Sequence, residues 1–325
     1  MAVYTEVSDN EIKAFVDSYD IGELLSFKGI AEGVENSNFL VATRVGQYIL
    51  TLYEKRVDPA DLPFFLGLMS HLASAGLSCP TPLKDREGQQ LRQLAGRPAA
   101  LVTFLPGIWV RDPKPEHCFA AGRALAQLHK AGEGFQLRRE NALGPSGWRP
   151  LFQRFEQRAD EIYCGLNAII MSELETLLPV WPQSLPAGII HADLFPDNMF
   201  FRGETFSGVI DFYFACNDFY IYDLAICLNA WCFETDFSFN HTKGQALLRG
   251  YGDKRQLTQE EKEALPLLAR GAALRFLLTR AHDWLHTAPS ALVKPHDPLD
   301  YMHRLKFHQT VQNAREYGLE TTGSN

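Results

Sequence analysis

Two apolar stretches that end in polar residues constrain the fold of this chain more than any other feature. The first is GIIHADLFPDNMFF at 188–201, in which apolar runs flank the polar segment His191–Asn198. Runs of this length and composition are typical of short buried strands, so the polar residues between them must lie on a tight loop. The second is GVIDF at 208–212, an apolar strand that ends in the carboxylate of Asp211.

The polar side chains of these stretches are of the types that phosphoryl transfer requires. That reaction needs a group that orients the attacking hydroxyl, and oxygen ligands that hold Mg²⁺ against the phosphates of a nucleotide. We predict that Asp193 is the catalytic base and that His191 braces the loop by hydrogen bonding. Asn198 and Asp211 are the predicted Mg²⁺ ligands, since this ion prefers oxygen donors. Asp and Asn also fill plain turns, but a plain turn does not explain a second strand ending in a carboxylate.

The sequence of these segments resembles that of a known group of enzymes. The pattern His-x-Asp-x-x-x-x-Asn followed by Ile-Asp-Phe is similar to that of the aminoglycoside phosphotransferase and choline kinase superfamily, small-molecule kinases with a protein-kinase-like fold. HADLFPDN, together with YDLAICLNAW at 222–231, is closest to its homoserine kinase branch. The resemblance covers most of the chain. It implies ATP and Mg²⁺ as cofactors, and phosphorylation of L-homoserine to O-phospho-L-homoserine, a reaction of threonine biosynthesis.

The distribution of strand and helix patterns predicts an α+β fold with two lobes. Strand patterns dominate up to about residue 104, and helical patterns follow the break at Pro106-Gly107. We therefore expect a small, largely antiparallel N-terminal nucleotide-binding lobe at 1–104, and a larger, mainly helical catalytic and substrate-binding lobe at 105–325. Capping boxes at Ser8 and Thr258 mark the starts of two helices.

Residues on the predicted nucleotide side are less distinctive. A loop at 29–38 with glycines and small polar residues offers backbone N–H groups to phosphates, although an ordinary hairpin loop has the same composition. From its position we predict nucleotide contacts for Gly33, Asn36 and Ser37. Phe104 is the position at which we predict that an adenine hydrogen-bonds to the backbone between the lobes.

The resemblance also exposes a departure from the family pattern. The strand at 47–53 should carry a lysine for the nucleotide phosphates, and alignment puts Thr51 in that position. The helix that follows should carry a glutamate to pair with the lysine, and Phe65 occupies that position. Thr51 is then the predicted nucleotide contact on this strand, with Lys55 or Arg56 as substitutes for the missing charge.

The substrate side is the least constrained by sequence. Homoserine needs an acceptor for its ammonium and a cation for its carboxylate, whereas choline needs aromatic faces and an aminoglycoside needs many acids. The chain offers all three types after residue 212, so composition does not choose among these substrates. The residues that we predict to contact the substrate are Asp218, Trp231, Arg275, Arg280 and Asp283. Asp223 is interpreted as a helix N-cap, and His129 as an ordinary residue at a helix end.

Composition excludes several other classes. The net charge is −8 and no basic run occurs, which argues against a nucleic-acid partner. No apolar run has the length of a membrane span, and the N-terminus lacks the blocks of a signal peptide. The six cysteines lack a Cys-x-x-Cys pair, so buried thiols in a cytoplasmic protein are expected. The oligomeric state is not predicted.

Two alternatives stay open at this stage. One is a related kinase that acts on choline, an aminoglycoside or another amino alcohol. The other is a nucleotide-binding protein without catalysis, which the missing lysine at Thr51 suggests. The presence of Asp193, Asn198 and Asp211 together argues against the second alternative.

Overall fold

The computed structural model describes residues 5–30, 36–54, 58–288 and 294–319. The N-terminal part contains a five-stranded antiparallel sheet with the strand order β1-β2-β3-β5-β4. Its strands are β1 (Leu24–Gly29), β2 (Ser37–Thr43), β3 (Gln47–Leu52), β4 (Arg92–Leu94) and β5 (Arg97–Thr103).

Helices α1 (Asp9–Asp17) and α2 (Leu62–Ser74) accompany this sheet. The apolar face of α1 joins Val41, Leu50 and Leu101 in one buried cluster. The alternate residues Ala100 and Val102 of β5 belong to the cluster that contains α2. Because successive side chains of a strand point to opposite faces, the two helices lie on opposite sides of the sheet, and β3 and β5 are buried on both faces.

Helices dominate the rest of the described chain. They are α3 (Pro115–Ala131), α4 (Pro145–Gln153), α5 (Leu166–Leu177), α6 (Tyr220–Trp231), α7 (His241–Lys254), α8 (Gln259–His286) and α9 (Leu299–Thr310). Helices α3 and α7 approach each other closely, because a Cβ at Gly122 or Gly250 would overlap the backbone of the other helix. Helix α8 packs against both α6 and α9 and therefore forms the centre of this part.

Two short antiparallel ribbons support the polar segments singled out above. In one, β6 (Ala187–Ile190) pairs with β9 (Cys216–Phe219). In the other, β7 (Met199–Arg202) pairs with β8 (Thr205–Val209). The segment His191–Asn198 runs from the first ribbon to the second, and Asp211 follows the end of β8. Both polar segments are thus fixed by strands at both ends.

The predicted α+β fold with a small antiparallel sheet and a larger helical part is confirmed. A 3₁₀ turn at Pro59–Asp61 precedes α2, and another at Glu156–Glu161 separates α4 from α5. The division at residues 104 and 105 remains our proposal. None of the helices in the described ranges has the length and apolar character that a membrane span requires.

Candidate active site

A buried carboxylate holds the loop between β6 and β7 through hydrogen bonds to its backbone. Asp223, in the first turns of α6, accepts hydrogen bonds from the backbone N–H groups of His191 at 2.7 Å and Ala192 at 2.9 Å. Ala192 has φ +62°, a conformation that a residue with a side chain keeps only when its surroundings enforce it. The expectation of a helix N-cap at Asp223 is wrong, because Phe219 occupies that position.

His129 is the partner of this carboxylate, which the sequence did not reveal. Its Nε2 lies 3.1 Å from Oδ2 of Asp223, and its Nδ1 lies 2.8 Å from the hydroxyl of Tyr251. Burial lowers the pKa of His129, although the neighbouring Asp223 acts in the opposite direction. His129 therefore connects the catalytic loop to α7 and is not an ordinary helix-end residue.

Trp231 lies behind the loop. It is buried, and its indole N–H donates to the carbonyl of Leu194 at 2.8 Å. Since the ring faces the core, the prediction that Trp231 contacts the substrate is corrected to a supporting role. The amide of Asn198 spans the loop from the other end, donating to the carbonyl of Asp193 at 2.9 Å.

Two hydrogen bonds hold Ile210, the residue before Asp211, against the catalytic loop. The backbone N–H of Ile210 donates to the carbonyl of Asn198 at 3.0 Å, and Nε2–H of His191 donates to the carbonyl of Ile210 at 3.0 Å. His191 is fully buried, and burial lowers the pKa of its imidazole. This geometry favours a bracing function over a function as base.

Asp211 itself is exposed, with φ +63°. Strained residues of this kind cluster at functional sites. The described residues include no group of three His, Cys, Asp or Glu side chains that could hold a metal on their own. The amide oxygen of Asn198 and the carboxylate of Asp211 suit an ion that takes its other ligands from phosphates and water, as Mg²⁺ does.

Three predicted nucleotide contacts face the protein interior instead. The hydroxyl of Ser37 donates to Glu54 at 2.8 Å, and the side-chain oxygen of Asn36 accepts from the backbone of Glu54 at 3.3 Å. The hydroxyl of Thr51 donates to Asn38 at 2.8 Å. All three predicted residues are buried, so we assign no side-chain contact with a nucleotide to them.

The remaining nucleotide-side predictions have different outcomes. Gly33 lies outside the described residues, as do Lys55 and Arg56. Phe104 follows the last residue of β5 and is 37% exposed, and its N–H donates to the carbonyl of Gln47 at 3.4 Å. Its nucleotide contact stays a prediction.

Aromatic rings fill the region where the family pattern has a lysine–glutamate pair. The ring of Phe65 lies edge-on to Tyr213 at 5.6 Å, and Tyr53 lies edge-on to Tyr213 at 5.7 Å. Burial is the main cause that raises the pKa of Tyr213 far above its ordinary value, so this phenol stays neutral. Packing of Tyr53 and Phe65 against Tyr213 thus takes the place of the ion pair that the family pattern has between β3 and α2.

A cavity of about 190 Å³ opens beside the catalytic loop. It lies between the start of α2, the segment that links α3 to α4, and α8. Its lining residues are Asp58, Asp61, Phe65, Arg139, Asn141, Ala142, Leu143, Ala192, Tyr213, Phe214 and Arg275. Charged groups of both signs therefore surround a small space next to Ala192, which precedes Asp193 in the chain.

Arg275 is the one predicted substrate residue that reaches this cavity. Its Nη1 lies 3.6 Å from Oδ1 of Asp193, and its guanidinium stacks over the ring of Phe276 at 3.8 Å. Asp218 does not line the cavity itself, and it accepts a hydrogen bond at 2.7 Å from Asn141, which does. Burial raises the pKa of Asp218.

Arg280 and Asp283 do not line the cavity. Arg280 pairs with Asp300 at 3.2 Å and also donates to the carbonyl of Asp297. Asp283 lies 3.4 Å from Nδ1 of His282, and its side chain is about half exposed. The prediction that these two residues contact the substrate is therefore not supported by their positions.

Sequence comparison assigns the family. The profile of the phosphotransferase enzyme family matches residues 26–258. The chain belongs to this phosphotransferase family. Its curated relatives include the homoserine kinase of Xanthobacter autotrophicus, which is 63% identical over 98% of this phosphotransferase and 99% of that protein. The homoserine kinase of Rhizobium etli is 60% identical over 98% and 99% of the two chains.

Solved structures agree on the fold. An amicoumacin kinase has a TM-score of 0.69 at 14% identity, with 94% of each chain covered. A spectinomycin phosphotransferase has a TM-score of 0.66 at 14% identity, with 96% of this phosphotransferase and 97% of that chain covered. These likenesses show a shared fold, and the match to the phosphotransferase family confirms the expected membership.

Proposed function

We propose that this phosphotransferase transfers the γ-phosphoryl group of ATP to the hydroxyl of L-homoserine and forms O-phospho-L-homoserine. The observation that carries the proposal is the identity of 59–63% with homoserine kinases over at least 98% of this chain. The reaction belongs to threonine biosynthesis. We also infer that the enzyme works in the cytoplasm, since its free cysteines fit a reducing compartment.

Asp193 orients the substrate hydroxyl and accepts its proton. The loop around it is fixed from three sides: by Asp223 through the backbone, by Trp231 through Leu194, and by the amide of Asn198. A carboxylate held in this way needs little rearrangement when the hydroxyl arrives, which is how positioning accelerates phosphoryl transfer.

Asn198 and Asp211 are the residues that would hold Mg²⁺. The ion would supply charge neutralisation on the phosphate oxygens. The protein supplies two oxygen donors on segments that Ile210 and His191 join. Because two donors leave several positions to water and phosphate, this pair serves an ion that arrives with the nucleotide.

The charged residues of the cavity favour a substrate with charges of both signs. The cavity of about 190 Å³ is lined by Asp58, Asp61, Arg139 and Arg275, so carboxylates and guanidinium groups both reach it. Its two arginines do not suit an aminoglycoside, which needs many acids.

Identification of the product tests the proposal. The purified enzyme is incubated with ATP, Mg²⁺ and L-homoserine, and the phosphorylated product is assigned by phosphorus NMR and mass spectrometry. We expect one phosphate ester on the side-chain oxygen of homoserine, with one ADP per ester. Hydrolysis of ATP without any such ester would reject homoserine as the substrate.

A further inference from the structure

An arginine that the catalytic motifs do not include is held in the cavity beside the catalytic loop. Arg139 lies between α3 and α4, and its Nε donates to Oδ2 of Asp61 at 2.7 Å. Its Nη1 donates to the carbonyl of Ala215 at 3.2 Å, and its guanidinium lies over the ring of Phe65 at 5.0 Å. The orientation of this cation is therefore set before any ligand binds.

Part of this guanidinium remains available. The side chain of Arg139 is 23% exposed, and within the described ranges its Nη2 donates to no protein group. Arg139 and Asp61 both line the cavity. An arginine that lines a cavity and keeps the N–H groups of Nη2 uncommitted can donate charge-assisted hydrogen bonds to a carboxylate.

The other arginine of the cavity is less suited to that ligand. The side chain of Arg275 is only 5% exposed, and its Nη1 lies 3.6 Å from Asp193. A second carboxylate placed on Arg275 would lie close to the carboxylate of Asp193, and like charges in a partly buried site repel. A substrate carboxylate is therefore bound more favourably at a distance from Asp193.

Asp61 supplies the negative charge that complements the ammonium of an amino acid. It places an anion beside the cation of Arg139, and Asp58 adds a second carboxylate at the same wall. An α-amino acid carries a carboxylate and an ammonium on one carbon. Aligned against the Arg139–Asp61 pair, it sets each of its charges against the opposite charge.

We propose that Arg139 binds the α-carboxylate of the substrate and that Asp61 binds its α-ammonium, which makes this pair the determinant of amino-acid specificity. The inference rests on the proposed function, since it concerns the recognition of L-homoserine. Asp61 precedes α2 whereas Arg139 follows α3, so a substrate that binds both also links the sheet-bearing part of the chain to the helical part.

A substrate that lacks the carboxylate isolates the contribution of Arg139. L-homoserinamide keeps the hydroxyl and the ammonium and loses only the negative charge. The wild-type enzyme should prefer L-homoserine over the amide by about 10- to 100-fold in kcat/KM, as expected for a charge-assisted hydrogen bond. In Arg139→Gln that preference should fall to within about threefold, mainly through a higher KM for homoserine, with the KM for ATP unchanged.

Two variants control the experiment. Arg138→Gln removes the neighbouring arginine, which is exposed and does not line the cavity, and it should keep the wild-type preference. Arg139→Lys retains the charge without the planar fork and should keep an intermediate preference. Asp61→Asn should reduce the preference for L-homoserine over 4-hydroxybutanoate, which lacks the ammonium.

The outcomes separate this inference from the proposed function. If the wild-type enzyme phosphorylates homoserine and Arg139→Gln lowers kcat/KM for homoserine and homoserinamide by the same factor, Arg139 is only structural and the inference is overturned. An unchanged preference in a folded Arg139→Gln variant overturns it as well. If the wild-type enzyme does not phosphorylate homoserine at all, the proposed function is wrong and this inference is rejected with it.

Discussion

Nη1 of Arg275 lies 3.6 Å from Oδ1 of Asp193, so the proposed base shares its side of the cavity with a buried cation. Arg275 belongs to α8, the central helix of the larger part. The long-range contact between a helix and a catalytic loop places a fixed positive charge next to the group that handles the proton. This pairing changes the expectation for Arg275 from substrate binding towards positioning of Asp193.

Substitution of Arg275 should therefore act on turnover. In Arg275→Gln we expect kcat to fall by about 10-fold or more, because loss of a partner leaves the carboxylate of Asp193 less well placed. The KM for ATP should not change. Arg280→Gln is the matched control on the same helix, since Arg280 pairs with Asp300 outside the cavity. Steady-state kinetics that show equal effects of the two substitutions would contradict the special position of Arg275.

The catalytic function of Asp193 predicts a larger loss. Asp193→Asn keeps the size of the side chain and removes the proton acceptor, so kcat should decrease by about 10²-fold or more, within the range of general-base effects. Binding of ATP, measured by calorimetry, should stay close to that of the wild type. A folded variant with nearly normal kcat would show that another group accepts the proton.

Binding of the metal should depend on Asp211. We expect strict dependence of activity on Mg²⁺ or Mn²⁺, and loss of metal-dependent ATP binding in Asp211→Ala, because Asn198 alone offers one neutral oxygen. Measurement of ATP affinity across a Mg²⁺ titration checks this for both proteins. Superimposable titrations of the wild type and the variant would reject Asp211 as a ligand.

Stability should decrease at mildly acidic pH because of a buried histidine. Burial lowers the pKa of His308 from 6.5 to about 3. His308 binds a proton near pH 6.5 in the unfolded chain but not in the folded chain. The free energy of unfolding therefore falls as pH decreases below about 6.5. Between about pH 7.5 and pH 5.5 this one group contributes a loss of about 1.4 kcal/mol.

Denaturant unfolding at the two pH values measures this effect. His308→Gln should show a pH-dependent loss that is smaller by about 1.4 kcal/mol than that of the wild type. His241→Gln is the control at an exposed position and should keep the wild-type dependence. Equal pH dependence in all three proteins would show that His308 does not stay neutral in the fold.

The catalytic loop was predictable from sequence because its determinants are local. His191, Asp193 and Asn198 lie within one short segment between two apolar strands, and Asp211 ends the next strand. The sheet was predictable for the same reason, since each of its strands carries its own apolar pattern.

The residues that sequence reasoning missed act through long-range contacts. Arg139 gains its position from Asp61, and His129 from Asp223, and no spacing along the chain reveals such pairs. The errors at Ser37 and Asn36 have another cause. A polar residue in a glycine-rich loop is compatible with facing a ligand or facing the interior, and here the backbone and carboxylate of Glu54 bind both side chains inward.

The relative specificity for L-homoserine and choline tests most directly whether this phosphotransferase is a homoserine kinase. The ratio of their kcat/KM values is measured with saturating ATP and Mg²⁺, since choline lacks the carboxylate that Arg139 would bind. We predict that L-homoserine is favoured by at least about 10²-fold, because choline leaves the guanidinium of Arg139 without its carboxylate ligand. Equal turnover of the two alcohols, or a preference for choline, would contradict it.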